Sequence, residues 1–206
     1  MMKEFIRHKF LAIEWILGGL AVALPVLAWL GTRTLNDITV YDIFPPLGLV
    51  AFGLMWTHFV MGALRRYSSY DKKRHGLYMP VSMGLVLGLI ILHPGLLWLQ
   101  LFKDGFGLPP GSYLTAYKTQ QLYVLLGSLG LAIFLSFELK RWFARKAWWK
   151  YVELLQIVGM AAIFIHALEL GREVRSSWFM AVWWVYGITL AAAIIYSRLV
   201  YKKKET

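Results

Sequence analysis

GLYMPVSMGLVLGLIILHPGLLWLQLF, residues 76–102, contains no Asp, Glu, Lys or Arg, and its one histidine, His93, lies well inside the run. As a helix at 1.5 Å per residue it would reach about 40 Å, more than the roughly 30 Å of a hydrocarbon core. Five further stretches read the same way, near 10–31, 43–64, 119–138, 150–170 and 177–200. Each is bounded by charges or by loop residues such as Pro45–Pro46 and Pro109–Pro110–Gly111. The first run carries Glu14 and Pro25 and is followed by no small-x-small cleavage site. It reads as a retained helix, not a signal peptide. The expectation is an all-α, six-helix transmembrane bundle in one domain covering 1–206.

Composition agrees. The chain is 59% hydrophobic and 16% charged, with a mean hydropathy of +0.56, whereas soluble domains carry about a quarter charged residues. There is no cysteine. That excludes disulfides, iron–sulfur clusters and thiolate nucleophiles, leaving histidine as the main ligand for a transition metal. The net charge of +11 would suit nucleic acid, but the basic residues fall in short blocks between apolar runs and form no patterned face. Nucleic acid is not the expected partner.

Those blocks give orientation. Lys3, Arg7, Lys9, the Arg65–Arg74 group, the Lys140–Lys150 group, Arg198 and Lys202–Lys204 place 17 cations on one side. Arg33, Lys103, Lys118, Arg172 and Arg175 place 5 on the other. By the positive-inside rule both termini are cytoplasmic in a cell (inner) membrane. Trp142, Trp148 and Trp149 at one edge of the fifth run, and Trp178 at the edge of the sixth, suit the interfacial level. Trp183 and Trp184 read equally well as packing residues.

Ionisable groups in hydrocarbon cost free energy, so each one inside a span is a functional candidate. His8 and His75 fall in cytoplasmic segments. His93 lies about 6 Å and His166 about 9 Å beyond the midpoints of two runs of the same direction. Two imidazoles at similar depth on two helices can clamp one porphyrin iron. The alternative is that each only hydrogen-bonds a neighbouring helix. Gly84 and Gly88, one turn apart near His93, would let a macrocycle approach, as would Gly95; small residues equally let two helices meet. Pro94 removes a backbone hydrogen bond and can kink the helix beside His93. His58 falls in the inner half.

The string Ile90-Ile91-Leu92-His93, the basic loop before it and the Trp149-Lys150-Tyr151-Val152-Glu153 start of the run reaching Phe164-Ile165-His166 resemble the ferric-reductase-like transmembrane domain. Metalloreductases, NADPH oxidases and the haem-binding membrane subunit of periplasmic methionine-sulfoxide reductase systems belong to that superfamily; in size the chain is most similar to the last. The resemblance implies a haem b electron carrier with His93 and His166 as axial ligands, the membrane component of an oxidoreductase. Two-haem members carry an inner histidine thirteen or fourteen residues before each outer one, where this chain has Met79 or Pro80 and Glu153 or Val152. One haem is therefore expected. His58 and Glu153 would form a separate inner-half proton relay or quinone-contacting pair.

No strand–glycine–helix unit for a dinucleotide is present. Electrons would come from a separate reductase, a flavin or a quinol, and leave to an extracytoplasmic acceptor. Two other classes stay open: a proton-coupled transporter or channel using the intramembrane His and Glu, and a haem-free structural subunit. No inverted repeat favours the transporter.

Overall fold

Backbone in hydrocarbon must satisfy its own amides, and a helix does so within one segment. The computed structural model describes residues 1–33, 36, 38–70, 76–137, 139, 143, 145–176 and 178–200, and among these it is helical with no strand. The long helices are α1 (Met2–Thr32), α2 (Val40–Ser68) and α3 (Tyr78–Lys103). A short α4 (Gly111–Ala116) precedes α5 (Gln121–Phe137) and α6 (Trp149–Leu170). After α7 (Arg172–Ser176) comes α8 (Phe179–Ile195), which continues as one π-helical turn, Tyr196–Val200. His75, Trp142 and the charges Lys72, Lys73, Arg74, Lys140, Arg141 and Lys202–Lys204 lie outside the described residues.

Five of these helices are long and apolar enough to cross a membrane, which marks a multi-pass membrane protein. The sequence leads one to expect six. The difference is α5, whose 17 residues reach only about 25 Å. Lys118 and Gln120 lie in a turn at its start, closed by a 2.9 Å bond from the Gln120 amide to the Tyr117 carbonyl. Pro45 and Pro46 also differ from expectation, since they sit inside α2 and do not bound it. Pro46 cannot donate to the Asp42 carbonyl four residues back. The Trp29 indole donates to that oxygen instead, at 2.7 Å. The start of α2 is held by a capping box between Thr39 and Asp42, which satisfies two otherwise orphaned amides.

α2 is the most buried of the long helices and packs along α1, α3 and α8. Pro25 frees the Ala21 carbonyl in the same way as Pro46 frees that of Asp42. A Cβ added at Gly53 would stand 2.9 Å from that oxygen and 3.2 Å from the Ala21 Cβ, so Gly53 is what lets α1 and α2 approach. Outward faces are apolar. Leu85, Ile91 and Leu99 of α3 are exposed and would meet lipid.

α5 and α6 form a hairpin packed on itself, with Gly159 against Ile133 and Phe134. Its principal side-chain junction with the body is an aromatic knot. Phe164 of α6 stacks on the buried Trp183 of α8 at 5.5 Å, and Trp183 lies 4.4 Å from the buried Phe52 of α2. Trp183 is thus a core residue, while Trp148, Trp178 and Trp184 are exposed and Trp149 is buried.

Gly53→Ala should lower unfolding stability by about 1–3 kcal/mol, because the added methyl overpacks a rigid backbone contact. Gly84→Ala should be neutral or stabilising, since a Cβ there meets nothing within 4 Å. Thermal or denaturant unfolding of the detergent-solubilised variants measures both.

Candidate two-histidine site

His93 on α3 and His166 on α6 come from opposite sides of the gap between the body and the α5–α6 hairpin. Their ring centroids are 6.4 Å apart and their planes are nearly perpendicular, at 85°. Each ring is fixed by the helix behind it. His93 Nδ1 lies 2.7 Å from the Phe44 carbonyl of α2, and His166 Nδ1 lies 2.7 Å from the Tyr123 carbonyl of α5. A carbonyl can only accept, so in both rings Nδ1 carries the proton and Nε2 keeps its lone pair. This is the tautomer of a ligating imidazole whose second nitrogen donates to a backbone oxygen.

A glycine one turn after each carbonyl makes room for the ring. A Cβ at Gly48 would stand 2.9 Å from His93 Cε1, and one at Gly127 2.6 Å from His166 Cε1. Both acceptors sit in the same local pattern, Phe44-Pro45-Pro46-Leu47-Gly48 and Tyr123-Val124-Leu125-Leu126-Gly127. An aromatic residue, a leucine and a glycine therefore recur at equal spacing on two helices. That short repeat was the available signal for Gly48 and Gly127, which sequence reasoning missed.

The two histidines border a cavity of about 270 Å³. Gly48, Gly127, Ile90, Leu97 and Ile163 line its middle, and Ala51, Met55, Leu131 and Phe134 one end. The opposite end carries Trp98, Tyr113, Tyr117, Gln120 and Glu173. Trp98 donates to the Tyr113 hydroxyl. Burial pushes the hydroxyls of Tyr113 and Tyr117 above the usual tyrosine range, so both stay protonated. Glu173, fully buried, pairs with Arg33 at 3.0 Å; Arg33 also reaches Asp42 at 2.7 Å. This network ties α1, α2 and α7 beside the cavity.

The other candidates fall elsewhere. Gly84 and Gly88 are exposed and do not border the cavity; successive turns of α3 carry them on a face that His93 does not share with them. His58 Nε2 lies 2.8 Å from Ser82 Oγ, in the seam between α2 and α3. Glu153 is half-buried on α6, which packs mainly on α5.

Among the described residues no three His, Asp or Glu side chains gather as a metal cluster. Two imidazoles are too few to hold a bare ion, which takes four or more ligands. They suit a metal whose remaining ligands come from a macrocycle. With metal–nitrogen bonds of roughly 2 Å, ring centroids on either side of one ion stand about 6 Å apart. The observed separation fits.

The chain matches no family model, no curated protein and no solved structure.

Arg33→Ala should cost about 3 kcal/mol or more, because it strips a buried carboxylate of its guanidinium. Glu173→Gln should cost less. Unfolding midpoints of the two variants, compared with the parent, check the order.

Proposed function

We propose that the chain is a transmembrane electron carrier holding one haem b between His93 and His166. The observation that carries this reading is the matched pair of imidazoles, each with Nδ1 bonded to a carbonyl and the two rings one metal's width apart. When bound, the haem supplies reversible one-electron chemistry. Ligation by both histidines would leave the iron no open position, favouring electron passage over oxygen chemistry.

The chain's own residues do the rest. Phe44 and Tyr123 carbonyls orient the imidazoles and raise their basicity. Gly48 and Gly127 admit the rings, and the apolar walls from Ala51, Leu131 and Phe134 exclude water. The Glu173–Arg33–Asp42 network and the tyrosine hydroxyls give the cavity one polar end. This half of the chain faces outward if the charge asymmetry orients it. We read α5 as the sixth crossing, short in itself, with both termini in the cytoplasm and the protein in the inner membrane. Electrons then arrive from a separate cytoplasmic reductase, a flavin or a membrane quinol, and leave to an acceptor outside. The ferric-reductase-like resemblance read from the sequence implies the same cofactor and the same two ligands.

His93→Ala and His166→Ala should each abolish the low-spin haem spectrum of the purified protein, while His58→Ala keeps it. Gly48→Val and Gly127→Val should reduce haem content sharply without touching a ligand. Haem retained in His93→Ala and lost in His58→Ala would reject the pairing. Cysteines placed at Lys103 and Arg172 should label from outside intact cells; labelling only from within would reverse the orientation.

A further inference from the structure

The cavity runs past the histidines in both directions, and its two ends differ in chemistry. On α2, Met55 lies two turns beyond Gly48, about 10 Å along the axis, and closes one end with Ala51, Leu131 and Phe134. At the other end Trp98 lies about 7.5 Å along α3 beyond His93, beside Tyr113, Tyr117 and Gln120. These polar groups come from the connection between α3 and α5. Gly105 and Gly107 both have positive φ, a conformation open to glycine, and turn the chain back after α3. The Trp98 indole fastens α4 over the cavity by donating to the Tyr113 hydroxyl. Gln120 is held in the next turn by the bond from its amide to the Tyr117 carbonyl.

This end holds donors that want acceptors. The Tyr113 oxygen accepts from the indole, which leaves its own proton to give. Among the described residues no hydrogen bond engages the Tyr117 hydroxyl or the Gln120 side-chain amide. Both phenols stay protonated, because burial raises their pKa. Behind Glu173, the buried Arg33 Nε–H also has no acceptor among the described residues. Glu173 is the carboxylate that lines this end, and Arg33 meets its charge at 3.0 Å. What the end lacks is a group that only accepts. An ionised carboxylate is one, with two oxygens and no proton to donate. Haem b carries its two propionates on one edge and only methyl and vinyl groups on the opposite edge.

We propose that Tyr113, Tyr117 and Gln120 form a carboxylate-binding subsite for the haem propionates, with the methyl and vinyl edge set among Ala51, Met55, Leu131 and Phe134. The inference rests on the haem reading above. The reverse orientation would press two carboxylates against apolar side chains and leave the phenols and the amide without partners, and both are costly. The subsite thus fixes which edge of the ring faces α4, a choice that the two axial histidines cannot make.

Hemin dimethyl ester separates the subsite from the iron site, because it keeps the ring and the metal and turns both carboxylates into neutral esters. Full-length protein made haem-free and placed in nanodiscs is titrated with hemin and with the ester, following the low-spin absorption band. Partition of either compound into lipid is the same for every variant, so the quantity read is the ratio of the two affinities. That ratio should fall by about tenfold for each hydrogen bond to a charged group that is removed, in Tyr113→Phe, in Tyr117→Phe and in Gln120→Leu. Ester affinity should change far less, since a neutral carbonyl is the weaker acceptor. An intact low-spin band with the ester shows that a variant is folded, and the two phenylalanine variants serve if Gln120→Leu is not. A ratio equal to the parent's in all folded variants, or hemin and ester weakened alike, overturns the subsite and leaves the haem between His93 and His166. A parent that gives no low-spin band with either compound overturns both.

Discussion

An imidazole placed in hydrocarbon must find its hydrogen bond inside the protein, because no water stands by to supply one. His93 and His166 meet that demand at backbone carbonyls of the neighbouring helices, each at 2.7 Å. The choice has consequences. A carbonyl fixes which nitrogen is protonated, and the other nitrogen is then a lone pair directed elsewhere. It also fixes which helices pair, since α3 must lie beside Phe44 and α6 beside Tyr123. A glycine must follow each carbonyl by one turn so that the ring can reach it. Both bonds run between helices packed on one another, α3 to α2 and α6 to α5, and the cavity lies between the two pairs.

Proline and glycine act in the same economy of backbone groups. Pro25 and Pro46 each leave a carbonyl without its helical donor. At Asp42 the Trp29 indole takes the vacancy, tying α1 to α2; at Ala21 the oxygen faces Gly53, where the two backbones approach. Deletions of helical hydrogen bonds thus become contacts between helices. The Arg33 network extends this at the polar end of the cavity. Its buried carboxylate, Glu173, is tolerable only because the guanidinium is held against it.

Neither hairpin could build the two-histidine site alone. The α5–α6 hairpin meets the body through Phe164, Trp183 and Phe52 and is held apart from it where the histidines face one another. A planar group between them would join the halves where helix packing does not. The haem proposed for this gap would restore there the close packing that the rest of the bundle has.

Hydropathy in the sequence was enough to establish an all-helical membrane chain, because runs of twenty or more apolar residues have no stable alternative to helices in lipid. It also singled out His93 and His166, because an ionisable side chain in such a run is conspicuous. It took Pro45–Pro46 for a loop, whereas they lie inside α2 and the indole of Trp29 takes over the Asp42 carbonyl. It chose Gly84 and Gly88 for their spacing, whereas Gly48 and Gly127 are the glycines against the rings. Spacing along one helix says which residues share a face. Only the tertiary structure decides what that face meets, because the partners of His93 and His166 lie 49 and 43 residues away in the chain and are backbone atoms, which every residue carries and no residue type announces.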